Sequence, residues 1–449
     1  MKKYIYFFVV GAVCLLLSAT AYAEDLNNSD ANIIGHVLEK SSQEHLPYIT
    51  VSLKGTTIGA MTDATGHYFL KNLPEGDFIL QVSAVGYKAQ SRKVTLKRGK
   101  TLEENFELEE DLIALDGVVV TANRSETTRR MAPTLVNVMD FKLFENTNSA
   151  TLSQGLNFQP GVRGETNCQN CGFQQVRING LDGPYTQILI DSRPIFSALA
   201  GVYGLEQIPA NMIERVEVMR GGGSALFGSS AIAGTINIIT KEPLRNSGQL
   251  SHTITGVGGT SSWDNSTTMN VSLVTDNSKA GLYIFGQNRE RSGYDSDGDG
   301  FTELPKLKNQ TVGFRSFLKT SAYSKLTFEY HHLQEFRRGG DLLNRPPHEA
   351  NIAEQLRHSI NSGGLKFDYF SPDEKHRLSV YASAQHIGRD SYYGGNQDLN
   401  AYGATKDFTW VAGSQYIYHF DRCLFMPSDL TGGVEYNQDN LKDDMWGYN

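Results

Sequence analysis

Cysteine is scarce in this sequence, four among 449 residues, and one of them, Cys14, sits inside a candidate leader. An exported chain would keep three, room for at most one bridge and one leftover thiol. A basic excess is missing as well. With 41 Lys and Arg against 49 Asp and Glu the net charge is −8, and no basic face is visible, which argues against binding nucleic acid through its phosphates. Beyond the amino-terminal segment no second long apolar run appears, so such a chain can enter a membrane only as a barrel. Clustered His and Glu, or a nucleophile beside a base, are not visible either, which disfavours an enzyme. What is present is a folding composition: 39% hydrophobic residues, with 21 Tyr, 22 Phe and 44 Gly. The length predicts several folded units rather than one.

The first of these units is a leader. Lys2 and Lys3 precede an apolar run from Ile5 to Leu17, and Ala21 and Ala23 offer small residues where a signal peptidase reads. The run is shorter than the ~20 residues a membrane-spanning helix needs, so residues 1–23 are expected to be cleaved before Glu24. A lipid anchor on Cys14 is disfavoured because Val13 stands where a small residue should precede it.

The chain is organised around Ile213 to Thr240, IERVEVMRGGGSALFGSSAIAGTINIIT. Apolar Ile213, Val216 and Val218 alternate with Glu214, Arg215, Glu217 and Arg220, which predicts a strand with one wet face. Gly221 to Gly223 and the small residues to Gly234 predict a tight turn, and the β-branched run to Thr240 a second strand. This stretch resembles the end of the plug domain of TonB-dependent outer-membrane receptors, IERIEVxRGPxSxLYGxxAxGGVINIIT, with Gly222 in place of the usual proline and Phe227 where tyrosine is common. The resemblance implies a mainly β chain: signal peptide, small β-sandwich, α+β plug domain, and the first strands of a transmembrane antiparallel β-barrel.

Residues 24–110 hold short alternating segments separated by Gly, Pro and Asp turns, which predicts the sandwich. The stretch TTIGAMTDATGHYFLKNLPEGDFILQVSAVGY resembles the carboxypeptidase-regulatory-like domain that precedes the plug in Bacteroidetes-type receptors. No catalytic carboxylate or metal cluster stands out there, so a structural or partner-binding module is expected. In the linker 111–124 the β-prone Asp116, Gly117, Val118, Val119, Val120 and Thr121 resemble a TonB box, a peptide that adds a strand to another protein's sheet. One more strand of the sandwich is the alternative reading.

The plug is expected over 125–242, with a short helix from Thr151 to Phe158 and strands at QVRINGL and TQILIDSRPI. Loops at 163–175 and 195–208 are placed by the resemblance at the plug apex, giving Cys168, Gln169, Asn170, Cys171, Phe173, Phe196 and Tyr203 as candidate ligand-binding residues. The second loop resembles the cobalamin receptor branch. Cys168 and Cys171 form a C-x-x-C, which can be a disulfide, a metal site or a redox pair. The exported context favours the disulfide, with copper or haem iron on soft thiolates as the alternative.

Residues 243–449 alternate with period two in strands of about ten residues, as barrel strands do. Short turns near 275–281, 320–325, 370–376 and 419–424 interleave with long polar stretches at 289–310, 334–357 and 389–405, so the short turns are assigned to the periplasm and the long loops to the outside. Roughly nine strands are counted. Plugged transporters of this type use ~22, so the barrel is expected to be incomplete. In one long loop Asp295, Asp297 and Asp299, with Glu303, resemble a calcium loop lacking its bidentate Glu, since Lys306 holds that position. A plain solvated acidic loop is the alternative. His331 and His332 are strand neighbours and must point to opposite faces, so one at most faces the lumen.

The resemblance implies import of a scarce metal chelate, a ferric siderophore, haem or cobalamin, with no required cofactor; a structural calcium is a candidate only from the acidic loop. It implies TonB with its inner-membrane energising complex, outer-membrane lipid and a surface lipoprotein as partners, in the cell outer membrane with the N-terminal domain in the periplasm. A non-transporting surface or signalling receptor, an adhesin and a copper-acquisition receptor are the competing readings.

Overall fold

The computed structural model describes residues 29–448 apart from 64, 85, 111–117, 120, 122–126, 129–133, 169–171, 195–207, 222, 229, 260–261 and 424–425. The leader lies outside the described residues. From Ser29 the chain forms β1 (Ala31–Glu39), β2 (Thr50–Leu53), β3 (Gly59–Met61), β4 (His67–Leu73), β5 (Gly76–Ser83), β6 (Gln90–Leu96), β7 (Thr101–Glu103) and β8 (Phe106–Leu108). β1 is flanked by antiparallel β4 and by parallel β7 and β8, while β3, β2, β5 and β6 make a second, antiparallel sheet. Alternation explains why the two sheets stack: Tyr68, Leu70 and Leu73 of β4 point inward and meet Val51, Leu53, Leu80 and Val82 from the other sheet. Each side chain so buried stabilises the fold by about 1.5–3 kcal/mol. This is the expected sandwich.

The middle of the chain forms β9 (Val118–Val119), β10 (Thr127–Thr128), β11 (Val136–Asp140), α1 (Phe141–Asn146), α2 (Leu152–Leu156), β12 (Val162–Cys168), β13 (Phe173–Ile178), β14 (Thr186–Ile190), β15 (Ile213–Arg220), α3 (Ser224–Phe227) and β16 (Gly234–Thr240). Asp140 caps α1 by accepting from the Leu143 N–H at 3.0 Å. The sheet order is β11, β15, β16, β14, antiparallel except for the parallel pair of β14 and β16. Two expectations change. The described residues of the stretch 163–175 are not an open loop: β12 and β13 pair from Val162 and Ile178 up to Cys168 and Phe173, a two-stranded arm whose alternation is hidden by its polar residues. β15 has no wet face in its middle either, because Val216, Glu217, Val218 and Met219 are all buried between neighbouring strands and packed layers.

The last part is a nine-stranded antiparallel sheet in sequence order: β17 (Ser247–Val257), β18 (Ser262–Val274), β19 (Ala280–Arg291), β20 (Lys306–Ser321), β21 (Ser324–Gly340), β22 (Ile352–Phe370), β23 (His376–Gly395), β24 (Tyr402–Cys423) and β25 (Met426–Met445). The nine strands match the count read from hydrophobic alternation. Their lengths, 11 to 22 residues, do not match the expected ten. Pairing continues through polar segments such as Arg389 to Tyr392, because backbone groups bond across the ladder whatever the side chains are. The long polar connections shrink accordingly to 292–305, 341–351 and 396–401, and the last is close in length to the opposite turn 371–375.

His331 and His332 do part to opposite faces. His331 lies with Arg315 and Glu329 around a cavity of 20 Å³, room for about one water, while His332 Nδ1 is 3.0 Å from Asn361 Oδ1. The inner face of the sheet shares one hydrophobic core with the plug, with Tyr283, Phe285, Tyr381 and Val411 packed against Ile190, Met212, Val216 and Ile238. On the side of the short turns the sandwich touches the sheet: the Thr57 N–H donates to the Ala322 carbonyl at 2.9 Å, and the Arg245 guanidinium sits 3.9 Å from the Tyr48 ring centroid.

Candidate functional site

The polar heart of the molecule is the seam between plug and nine-stranded sheet. It starts from a two-residue turn after β14, where Asp191 and Ser192 both take positive φ, +48° and +65°, and Ile190 and Arg193 bond each other's backbones. This tight reversal points Asp191 and Arg193 at the sheet. Arg193 donates to Ser383 Oγ at 3.0 Å and to Glu329. From β20, Arg315 reaches back to Asp191 and the Thr240 hydroxyl, and to Glu329 at 3.3 Å and Glu242 at 3.4 Å. Lys325 completes the set with Glu242 at 3.0 Å. Three cations, Arg193, Arg315 and Lys325, therefore face three carboxylates, Asp191, Glu242 and Glu329, and the cluster is neutral. Burial is the largest influence on Asp191 and pushes its pKa up, but Arg315, Arg193 and the Thr240 hydrogen bonds outweigh it and hold the carboxyl below the usual range. Buried ions attract strongly once paired and are costly once one partner leaves, so this cluster fixes where the plug sits.

Neutral contacts extend the seam. Asn211 donates to Asn270 Oδ1 at 2.9 Å and to the Gly286 carbonyl at 3.0 Å, and Tyr283 donates to the Asn211 carbonyl at 2.8 Å. None of these residues was marked in the sequence. The partners lie far apart along the chain, so only the IDSRPI segment carried a signal, as a strand.

Of the box residues, Asp116, Gly117 and Val120 lie outside the described residues. Val118 and Val119 pair antiparallel with Thr128 and Thr127 of the same chain. Thr121 is fully buried, and both its N–H and its hydroxyl donate to Glu217 Oε2, at 2.9 and 2.6 Å. Arg215 holds the other oxygen of Glu217 at 2.9 Å, and Asn237 donates to both Thr121 Oγ1 and Ser192 Oγ. The buried Glu217 thereby fixes Thr121, and Asn237 links Thr121 to the turn that carries Asp191 and Arg193.

At the other end of the plug, Gln169, Asn170, Cys171, Phe196 and Tyr203 lie outside the described residues, so the Cys168–Cys171 pairing does too. The backbones of Cys168 and Phe173 face each other at the tip of the β12–β13 arm. The carbonyl of Gly172 accepts from Arg337 Nη1 at 2.9 Å, and Arg337 is itself clasped to Glu335 at 2.9 and 3.0 Å. Gly172 has φ +64°, and a Cβ there would come within 2.9 Å of Pro305, so glycine lets the arm lie against the sheet. Cys423, given no role from sequence, carries an exposed free thiol.

In the loop 292–305, oxygens of Asp295, Asp297, Asp299 and Glu303 lie within 4.8 Å of one another. Backbone N–H groups orient them: Gly298 and Gly300 donate to Asp295 at 2.7 and 2.8 Å, and Phe301 donates to Asp299 at 2.8 Å. The structure brings together all four of the residues proposed for a hard cation.

Comparison with known proteins agrees with this geometry. Residues 33–120 match the CarboxypepD_reg-like domain family and residues 128–235 the TonB-dependent Receptor Plug Domain family. Over 125 residues the chain is 38% identical to the vitamin B12 transporter BtuB of Vibrio vulnificus strain CMCP6, covering 28% of this chain and 20% of that protein. It is 33% identical over 124 residues, with the same shares, to BtuB of Vibrio cholerae strain M66-2. The fold is similar to the siderophore receptor PirA of Acinetobacter baumannii, TM-score 0.59 at 20% identity, over 70% of this chain and 50% of that one. It is also similar to the ferric citrate transporter FecA, TM-score 0.54 at 14% identity, over 69% and 48%. The chain spans about a fifth of the length of the curated relatives and about half that of the solved ones. The chain therefore carries a TonB-dependent Receptor Plug Domain behind a CarboxypepD_reg-like domain, in a fold similar to that of solved siderophore receptors.

Proposed function

We propose that this chain serves import of a scarce metal chelate, a ferric siderophore, haem or cobalamin, across the outer membrane, driven by TonB acting on residues 116–121. The observation that carries this reading is the continuous polar path from Thr121, itself held by Glu217, through Asn237 and Ser192 to the Asp191 and Arg193 turn and on to Arg315. Such a path couples a strand available to a periplasmic partner with the charges that seat the plug, and it needs no covalent chemistry. The relatives are named as transporters and receptors, which supports a non-enzymatic role. The sandwich then lies in the periplasm beside the short turns it touches, the C-x-x-C arm faces outside as the ligand-contacting apex, and the acidic loop holds a structural calcium.

The test is growth of a deletion strain on single iron, haem or cobalamin sources, complemented by the gene in its genomic form or carrying Val119→Pro. Proline removes the N–H that strand addition needs. Uptake should vanish while ligand binding persists; normal uptake by the variant would refute the reading.

A further inference from the structure

The sandwich carries a cluster that neither the transport reading nor the sequence had singled out. His36 on β1 and His67 at the start of β4 are direct cross-strand partners. His45 lies on the segment that returns alongside β1, fixed by a bridge to Leu38 and by the Leu46 N–H donating to the Val37 carbonyl at 2.8 Å. The three ring centroids lie 5.0, 5.3 and 5.8 Å apart. Gly66 makes this approach feasible: its φ is +76°, and a Cβ on it would come within 2.8 Å of His45 Cβ. We propose that His36, His45 and His67 form a three-imidazole site for a divalent transition metal of zinc or copper type.

The spacing fits. Imidazoles bound through nitrogen at ~2.0–2.1 Å to a tetrahedral ion hold their ring centroids about 5 Å apart. Three neutral imidazoles suit zinc and copper rather than calcium or magnesium, and they leave a fourth position for water. His67 is also oriented from behind. Thr65 Oγ1 has one proton, which it donates to Asp63 Oδ1 at 2.7 Å, so at 3.0 Å from His67 Nδ1 it accepts. That places the proton on Nδ1 and leaves Nε2 bare for a metal, the outer-shell arrangement typical of histidine ligands. In the described conformation the nitrogens are not gathered on one point, unlike the oxygens of the acidic loop, and the His45 and His67 rings stack at 28°. Both side chains are exposed, so rotation onto a common ion displaces no core.

The experiment uses the full chain in detergent with its thiols alkylated and with the acidic loop neutralised by Asp295→Asn, Asp297→Asn and Asp299→Asn. Zinc is titrated calorimetrically, and cobalt(II) is followed by its visible absorption, which is intense only when four-coordinate. One equivalent of each metal should bind with that signature. His36→Ala and His67→Ala should each weaken zinc at least tenfold, and Thr65→Val, which keeps all three ligands, about tenfold. His45→Ala, on an exposed turn, repeats the test without touching either strand. Weak cobalt absorption, or zinc affinity unchanged in these histidine variants, overturns the proposal.

Discussion

Replacing Arg315 by Met removes the cation that touches all three carboxylates of the seam, Asp191, Glu329 and Glu242. Arg193 and Lys325 remain against three acids, so the cluster carries one uncompensated negative charge where Arg315 and Asp191 are each only 11% exposed. Breaking a buried ion set in this way costs about 3–5 kcal/mol. Spread over local opening of the plug, that is an increase of about 10²- to 10⁴-fold in amide hydrogen exchange along β14 and β16. Adding Glu329→Gln restores neutrality, with two cations facing two carboxylates, and should return most of the protection despite removing a second charge. The assay is exchange measured by mass spectrometry on single and double variants, corrected for intrinsic rates. If the double variant exchanges as fast as the single one, or the single one as slowly as the parent, the seam is not held by charge balance. The pH dependence has a definite sign. A carboxyl held below its unfolded value, about 3.9 for Asp, contributes its full stabilisation above that value and loses it as pH falls through the lower folded one. Parent protection from Asp191 should therefore be the same at pH 7 and pH 5 and fade below about pH 4.

Thr121→Val keeps the backbone N–H to Glu217 but removes the hydroxyl that donates to Glu217 and accepts from Asn237, which costs about 1–3 kcal/mol; residues 118–128 should become more accessible to protease, and unchanged cleavage would count against the link. Calcium added at millimolar concentration should give calorimetric heat that Asp297→Ala abolishes, since the charge count of the ligands sets affinity. Intact mass after alkylation without reductant should show Cys168 and Cys171 unmodified and Cys423 modified; labelling at all three positions would exclude the bridge.

How much was legible depends on whether partners are near in sequence. The run Thr235 to Thr240 announced β16 by its β-branched residues, the nine strands of the last sheet followed from hydrophobic alternation, and the helix after Thr151 from the order of segments in the resemblance. The opposite faces of His331 and His332 needed only the geometry of a strand. Arg193 and Glu329 pair across 136 positions and Asp191 and Arg315 across 124, and no local pattern marks such pairs. Glu217 misled for a related reason. A charged residue alternating with valines reads as a wet face, and only the remote Thr121 shows that its carboxylate is satisfied indoors. The outer strand ends were underestimated because polar residues look like loop until a ladder partner is supplied. The histidine cluster escaped because its members sit on three separate segments, none of them unusual by itself.

Strand order in the plug has a mechanical consequence. β11, the strand nearest the amino terminus in this sheet, is an edge, whereas β16 lies between β14 and β15 and runs on through 241–246 into β17 of the wall. Tension entering from the amino-terminal side therefore meets β11 first and can peel it from β15 one ladder bond after another. The pairing of β15 with β16 lies deeper, behind a strand that the wall itself anchors. Extraction is thus graded: a short pull frees an edge and its flanking helix, and only a much longer one would unravel the strands that face Arg315.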